Sequence, residues 1–147
     1  MPVFSYKNLC WNARKIMRES GNCKLTITID GLKNQRGQIC LNLFSNSEGF
    51  PTSGDRALQS ASMKITDTAP TITFQNLPAG KYAVAVIHDA NCDGKLNCNF
   101  LGIPTEGFGF SRNPKIRIGS PEFAEAAIVV EGANTHIRIQ MRYLLGN

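Results

Sequence analysis

Between His88 and Arg112 the chain reads HDANCDGKLNCNFLGIPTEGFGFSR. The segment gathers carboxylates, amides, two thiols, an imidazole and three Phe without a sustained helix or strand period. Its opening, Asp89-x-Asn91-x-Asp93-Gly94, matches the start of a calcium loop, in which oxygens at alternate positions turn inward and Gly permits the sharp bend. In that register Lys95 offers a backbone carbonyl and Asn97 a side-chain oxygen. The twelfth position, where an EF-hand needs a bidentate Glu, is Phe100, and no flanking helix pair is legible, so the segment is not an EF-hand. Glu106 is the nearest acid that could complete a site, with Asn99 a weaker candidate. Hard oxygen ligands point to Ca²⁺ rather than a transition metal, and so few carboxylates imply the weak affinity of extracellular modules. The competing reading is that Asp, Asn and Gly simply make good turns.

The same segment holds three further chemistries. Cys92 and Cys98 could form a local disulfide, or stand as two unpaired loop thiols; with five cysteines in the chain, at least one is free or bonded between molecules. His88, Asp89 and Glu106 would be the residues of a hydrolase. However, adjacent residues on a strand point to opposite faces, and no nucleophile elbow, Walker loop or dinucleotide fingerprint accompanies them. The segment therefore reads as non-catalytic, with His88 a strand-end residue hydrogen-bonding the loop and His136 a solvated one. Finally, Phe108 and Phe110, set among Gly102, Pro104, Gly107 and Gly109, could present rings to a carbohydrate or peptide. The favoured alternative is that they plug the open end of the fold while the glycines let the chain turn.

The elements that must position this segment are strands. Leu25, Ile27 and Ile29 alternate with Thr26, Thr28 and Asp30, and Ile39, Leu41 and Leu43 alternate within Gln38 to Phe44, the period of half-buried strands. The intervening Lys33 to Gly37 predicts that these two runs form a hairpin. Ser45 to Ser60 reads as a long surface loop with a helical turn at Ala57 to Ala61. Strand signal returns at Met63 to Thr66 and Thr71 to Phe74, then most strongly at Tyr82 to Ile87 after the turn Asn76-Leu77-Pro78-Ala79-Gly80. Lys115 to Ile118 and Ala124 to Val130 read as further strands, although Glu122 to Ala127 also has helical propensity. The last run, Thr135 to Leu144, sets Ile137, Ile139, Met141 and Tyr143 on one face and His136, Arg138, Gln140 and Arg142 on the other. About seven short, unevenly spaced strands predict an all-β antiparallel sandwich, immunoglobulin-like or transthyretin-like, with a long ordered loop after Tyr82–Ile87.

At 147 residues the chain suffices for one domain, read as residues 23–147 behind an N-terminal extension, 1–22, that is either a short helix or disordered. The net charge of +5 is unevenly placed, because Lys7, Arg14, Lys15 and Arg18 oppose only Glu19 in the extension. The body is nearly balanced and lacks aromatics interleaved with clustered bases, so nucleic acid is not the expected partner. The sequence contains no apolar run long enough for a transmembrane helix, and its start does not read as a signal peptide.

With these residues laid out, the chain resembles a family of bacterial domains of unknown function, usually small exported proteins. The likeness rests on Leu77-Pro78-x-Gly80-x-Tyr82-Ala83-Val84, on His88-Asp89-x-Asn91-x-Asp93-Gly94-Lys95-Leu96, and on Asn99-Phe100-Leu101-Gly102-Ile103-Pro104-x-Glu106-Gly107-Phe108-Gly109-Phe110-Ser111. Its first part is also similar to the strand-turn-strand of transthyretin-like and carboxypeptidase-regulatory-like sandwich modules. The resemblance covers about residues 24 to 145 and implies a sandwich outside the cytoplasm, with no established activity to inherit. Asn97 stands where such loops commonly carry Asp, and Cys92 and Cys98 where polar residues are expected. The expected function is thus a binding or accessory module of the envelope, its loop braced by Ca²⁺ or by Cys92–Cys98 and offered to a protein, peptide or polysaccharide. A hydrolase and a small-ligand carrier with an apolar cavity between the sheets are the alternatives.

Overall fold

The computed structural model describes residues 21–92, 106–115 and 119–144. Eight strands follow one another: β1 (Cys23–Asp30), β2 (Gln38–Phe44), β3 (Gln59–Lys64), β4 (Thr71–Leu77), β5 (Gly80–Asp89), β6 (Gly107–Phe110), β7 (Ile128–Val130) and β8 (Thr135–Gln140). They form a three-stranded sheet ordered β4-β1-β8 and a five-stranded sheet ordered β3-β2-β5-β6, in which β7 pairs with the start of β5. The two sheets pack face to face as an all-β sandwich, mostly antiparallel, with one parallel pair between β1 and β8. Leu25, Ile27 and Ile29 of β1 meet Ile39, Leu41 and Leu43 of β2 and Val84 and Val86 of β5 in one core, all of them at most 1% exposed. Burying each such side chain contributes about 1.5–3 kcal/mol, which is what selects the inward face of every strand.

The expected hairpin of β1 and β2 does not form. Alternation tells which face of a strand is buried but not which strand lies beside it. Gly31 and Gly37 turn the connection through left-handed backbone, at φ 79° and 74°. That connection carries the chain from one sheet to the other, so the apolar faces of β1 and β2 oppose each other across the core. β1 pairs instead with β4 and β8, and β2 with β3 and β5.

Three other boundaries differ from the sequence pattern. β3 lies at Gln59–Lys64 rather than Met63–Thr66, because Ser60, Ala61 and Ser62 give no hydropathy signal and only pairing to β2, from Leu43↔Gln59 to Gln38↔Lys64, makes them a strand. The loop before it contains a 3₁₀ turn at Gly54–Arg56 in place of the helical turn expected at Ala57–Ala61. The Ala124–Val130 stretch divides into a one-turn helix, α1 (Phe123–Ala126), and β7. Glu122 starts that helix with a capping box, its N–H donating to Oε1 of Glu125 at 2.8 Å. Of the expected strand Lys115–Ile118, residues 116–118 lie outside the described residues, as do residues 1–20 of the N-terminal extension.

One flank of the sandwich is sealed. Beyond β8, Arg142 pairs with Phe108 of β6, the N–H of Phe108 donating to the Arg142 carbonyl at 3.0 Å and the reverse bond measuring 2.7 Å. The close approach depends on two glycines that alternate with the phenylalanines of β6. A Cβ on Gly107 would enter the Tyr143 ring, and one on Gly109 would lie 2.7 Å from Cγ2 of Ile139.

Candidate functional site

β5 runs two residues further than its hydropathy indicates, so His88 and Asp89 belong to the strand and not to the loop. Both are buried, at 2% and 0% exposure, and they face opposite ways. His88 shares the inward face of Val84 and Val86. Asp89 lies on the outer face of the five-stranded sheet, across from Gln38.

His88 is held by a one-way chain of hydrogen bonds. The Arg36 carbonyl, 2.8 Å from Nε2, can only accept, so Nε2 carries the proton and Nδ1 accepts from the Tyr143 hydroxyl at 2.7 Å. That hydroxyl in turn accepts from the Lys33 N–H at 3.0 Å. Burial pushes the Tyr143 phenol above its ordinary pKa of 10.0, a rise partly offset by the Lys33 bond. The histidine therefore latches the β1–β2 connection to the end of β8, where it was expected to bond the loop after β5. Among the described residues it does not converge with Asp89 and Glu106 on one cleft.

Asp89 is the last residue of β5, and Glu106 immediately precedes β6, whose antiparallel register with β5 runs as far as His88↔Gly107. Asp89 Oδ2 accepts from Nε2 of Gln38 at 3.0 Å, and its carbonyl accepts the Cys92 N–H at 3.2 Å in the turn that leaves the strand. Asn91 is exposed on that turn. The remaining candidate ligands, Asp93, Lys95 and Asn97, and Asn99 with them, lie outside the described residues. Among those that are described, no group of three His, Cys, Asp or Glu gathers around one point.

Cys92 is an exposed free thiol at φ 57°, and its candidate partner Cys98 is outside the described residues. Cys23, buried in the core, is a free thiol as well.

Phe108 and Phe110 do not plug the end of the sandwich. They project from β6 on the outer face of the five-stranded sheet, half-buried, with ring centroids 5.7 Å apart. Phe50, from the loop after β2, meets Phe110 at 6.1 Å, Phe44 at 5.3 Å and Phe123 of α1 at 6.0 Å. Edge-to-face contacts of this kind add about 0.5–1.5 kcal/mol each beyond area burial, so these rings form a second, smaller apolar cluster on that face. Ser111 ties α1 to it: fully buried, its Oγ accepts from the Val84 N–H at 2.9 Å and donates to the Ala126 carbonyl at 2.5 Å.

Sequence reasoning missed Gln38, Arg36, Tyr143, Phe50 and Phe123 as neighbours of the candidate residues, since all lie far away in the chain. The one available signal was the alternation that set Tyr143 inward. Tyr82, from the Leu77-Pro78-x-Gly80-x-Tyr82 turn, donates to the Pro78 carbonyl at 2.5 Å, and burial, then the charge of Cys23, raises its pKa above 10.0.

A family model for an uncharacterized protein conserved in bacteria, DUF2141, matches residues 27–138. The chain belongs to this family. The matched span runs from the second half of β1 to most of β8 and takes in His88, Asp89, Glu106 and the aromatic cluster, whereas Tyr143 of the latch lies beyond it. No curated protein and no solved structure matches the chain. Membership in the DUF2141 family brings no established activity. Among the described residues, no helix is long and apolar enough to cross a membrane.

Proposed function

We propose that this DUF2141 domain is a non-catalytic binding or accessory module of the bacterial envelope, an immunoglobulin-like or transthyretin-like sandwich working outside the cytoplasm. Its working part is the connection after β5, braced by Ca²⁺ and offered to a protein, peptide or polysaccharide. The observation that supports this most is the β5–β6 register, which runs to His88↔Gly107 and so leaves Glu106, the residue before β6, at the same end of the strand pair as Asp89, the first residue of Asp89-x-Asn91-x-Asp93-Gly94. Asp89 and Glu106 would help to hold Ca²⁺, which when bound would supply charge neutralisation, and Gln38 orients Asp89 by donating from Nε2.

The test is thermal unfolding in about 10 mM Ca²⁺ against chelator. A site with a Kd of about 10⁻⁴–10⁻³ M would add about 1.4–2.7 kcal/mol by mass action, a rise of several degrees for a domain this size. Glu106→Gln should remove the rise while leaving the melting temperature in chelator nearly unchanged. Equal melting temperatures with Ca²⁺ and with chelator in the unsubstituted protein overturn the proposal.

A further inference from the structure

The two flanks of the sandwich differ. One is closed by the Phe108↔Arg142 pair, whereas the other ends in β3 and β4, each the last strand of its sheet among the described residues. A terminal strand presents a row of main-chain groups to any strand that can lie beside it, and proteins normally guard such edges. β4 is guarded: Pro70 and Pro78 bracket it, and the Gln75 carbonyl accepts from Nε2 of Gln59 at 3.3 Å. β3, reading QSASMK, has neither proline nor bulge, and its single charge is Lys64 at one end.

The main-chain groups β3 leaves outward follow from its pairing. The Ile65 N–H donates to the Gly37 carbonyl, so in the β2–β3 register the odd-numbered residues bond β2. The N–H and C=O groups of Ser60, Ser62 and Lys64 therefore point away from the sheet, and all three residues are exposed. Two large hydrophobics also stand exposed at this edge, Leu58 at 48% and Met63 at 37%.

We propose that β3 is the edge through which this chain pairs with a second copy of itself, antiparallel about a two-fold axis at Ser62. That register is self-complementary. Ser62 faces Ser62 of the second copy and Ser60 faces Lys64, so all the outward main-chain groups of these residues are used. On the inner face Met63 lies against Ala61 of the second copy, which covers its exposed thioether. The two Lys64 ammonium groups stand at opposite ends of the pair, so no like charges meet. The five-stranded sheets join into one continuous sheet, and an isologous contact of this kind closes without propagating. A second copy is favoured over an unrelated peptide because this one register satisfies main chain, apolar side chains and charge together.

The experiment is sedimentation velocity over a concentration series of the full chain under reducing conditions, with Ser62→Lys and Ser62→Glu as variants. Ser62 is exposed, so either substitution leaves the monomer fold in place, which thermal unfolding verifies. The unsubstituted chain is expected to dimerise. Each variant alone, with like charges facing across the axis, should weaken dimerisation by about tenfold or more. An equimolar mixture of the two should restore it, because the introduced ammonium of one variant then faces the introduced carboxylate of the other. A chain that stays monomeric up to millimolar concentration overturns the proposal, as does a dimer whose dissociation constant neither variant changes. Dimers of each variant that are weakened but not rescued by mixing also overturn it, because they place the contact elsewhere than across Ser62.

Discussion

Tyr143→Phe removes one oxygen and leaves the ring in place, which makes it a clean probe of the latch at the end of β5. The hydroxyl makes two bonds, accepting from the Lys33 N–H at 3.0 Å and donating to His88 Nδ1 at 2.7 Å. Lys33 is exposed, so its N–H regains a partner from water at little cost. His88 is 2% exposed, and its Nδ1 is left as a buried acceptor without a donor. An unsatisfied buried group costs about 1–3 kcal/mol, and nothing else in the substitution offsets it, since the ring keeps its edge contact with His88 at 5.9 Å between centroids. For a domain of this length that corresponds to a fall of about 3–10 °C in melting temperature. Urea unfolding gives the free energy directly, and a double-mutant cycle with His88→Leu isolates the pair, with an expected coupling above about 0.5 kcal/mol. Hydrogen exchange should show the loss concentrated at residues 31–37, the segment held through Lys33 and Arg36. A Tyr143→Phe protein within about 0.5 kcal/mol of the unsubstituted one would refute the reasoning that the relay stabilises this connection.

Two other expectations follow from the same geometry. Gly109→Ala should destabilise by about 1–3 kcal/mol in urea unfolding, because its Cβ would lie 2.7 Å from Cγ2 of Ile139 and 3.1 Å from both the Gln140 carbonyl and Sδ of Met141, with main chain on one side to prevent relief; an unchanged midpoint would show that β6 can move away from β8. Alkali should weaken the fold selectively: Tyr82 and Tyr143 have pKa values raised by burial, so above pH 10.0 the unfolded chain releases their protons first and stability falls as pH rises, while below it this contribution is intact. Unfolding free energies measured from about pH 9 to about pH 11, with phenolate absorbance recorded in parallel, check the sign, and stability that rises across that window would contradict it.

Hydropathy alone located the buried faces of β1, β2 and β8, because a half-buried strand must alternate whatever lies beside it. It failed where the pattern is weak or where a partner imposes the structure. Ser60-Ala61-Ser62 is a strand only because β2 is there to pair with, and β5 continues through His88 and Asp89 because β2 pairs with both and β6 with His88. The candidate site was legible as a list of residue types from His88 to Arg112, but not as an arrangement. Asp89 and Glu106 are separated by most of that segment, and it is the pairing of β5 with β6 that returns the chain beside its own start.

The sequence by itself determined that the chain is an all-β sandwich, where its most chemically varied segment lies, and to which family it belongs, since composition and period are local properties of a chain. Only the tertiary structure decided that β1 and β2 lie in different sheets, that His88 faces inward to Tyr143 and Arg36, that Asp89 faces outward to Gln38, and that Phe50 and Phe123 complete a cluster with Phe108 and Phe110. The physical reason is that strand pairing is a contact between residues distant in the chain, and a shift of one residue in register exchanges every inward side chain for its outward neighbour. At the end of β5 that choice separates His88 from Asp89.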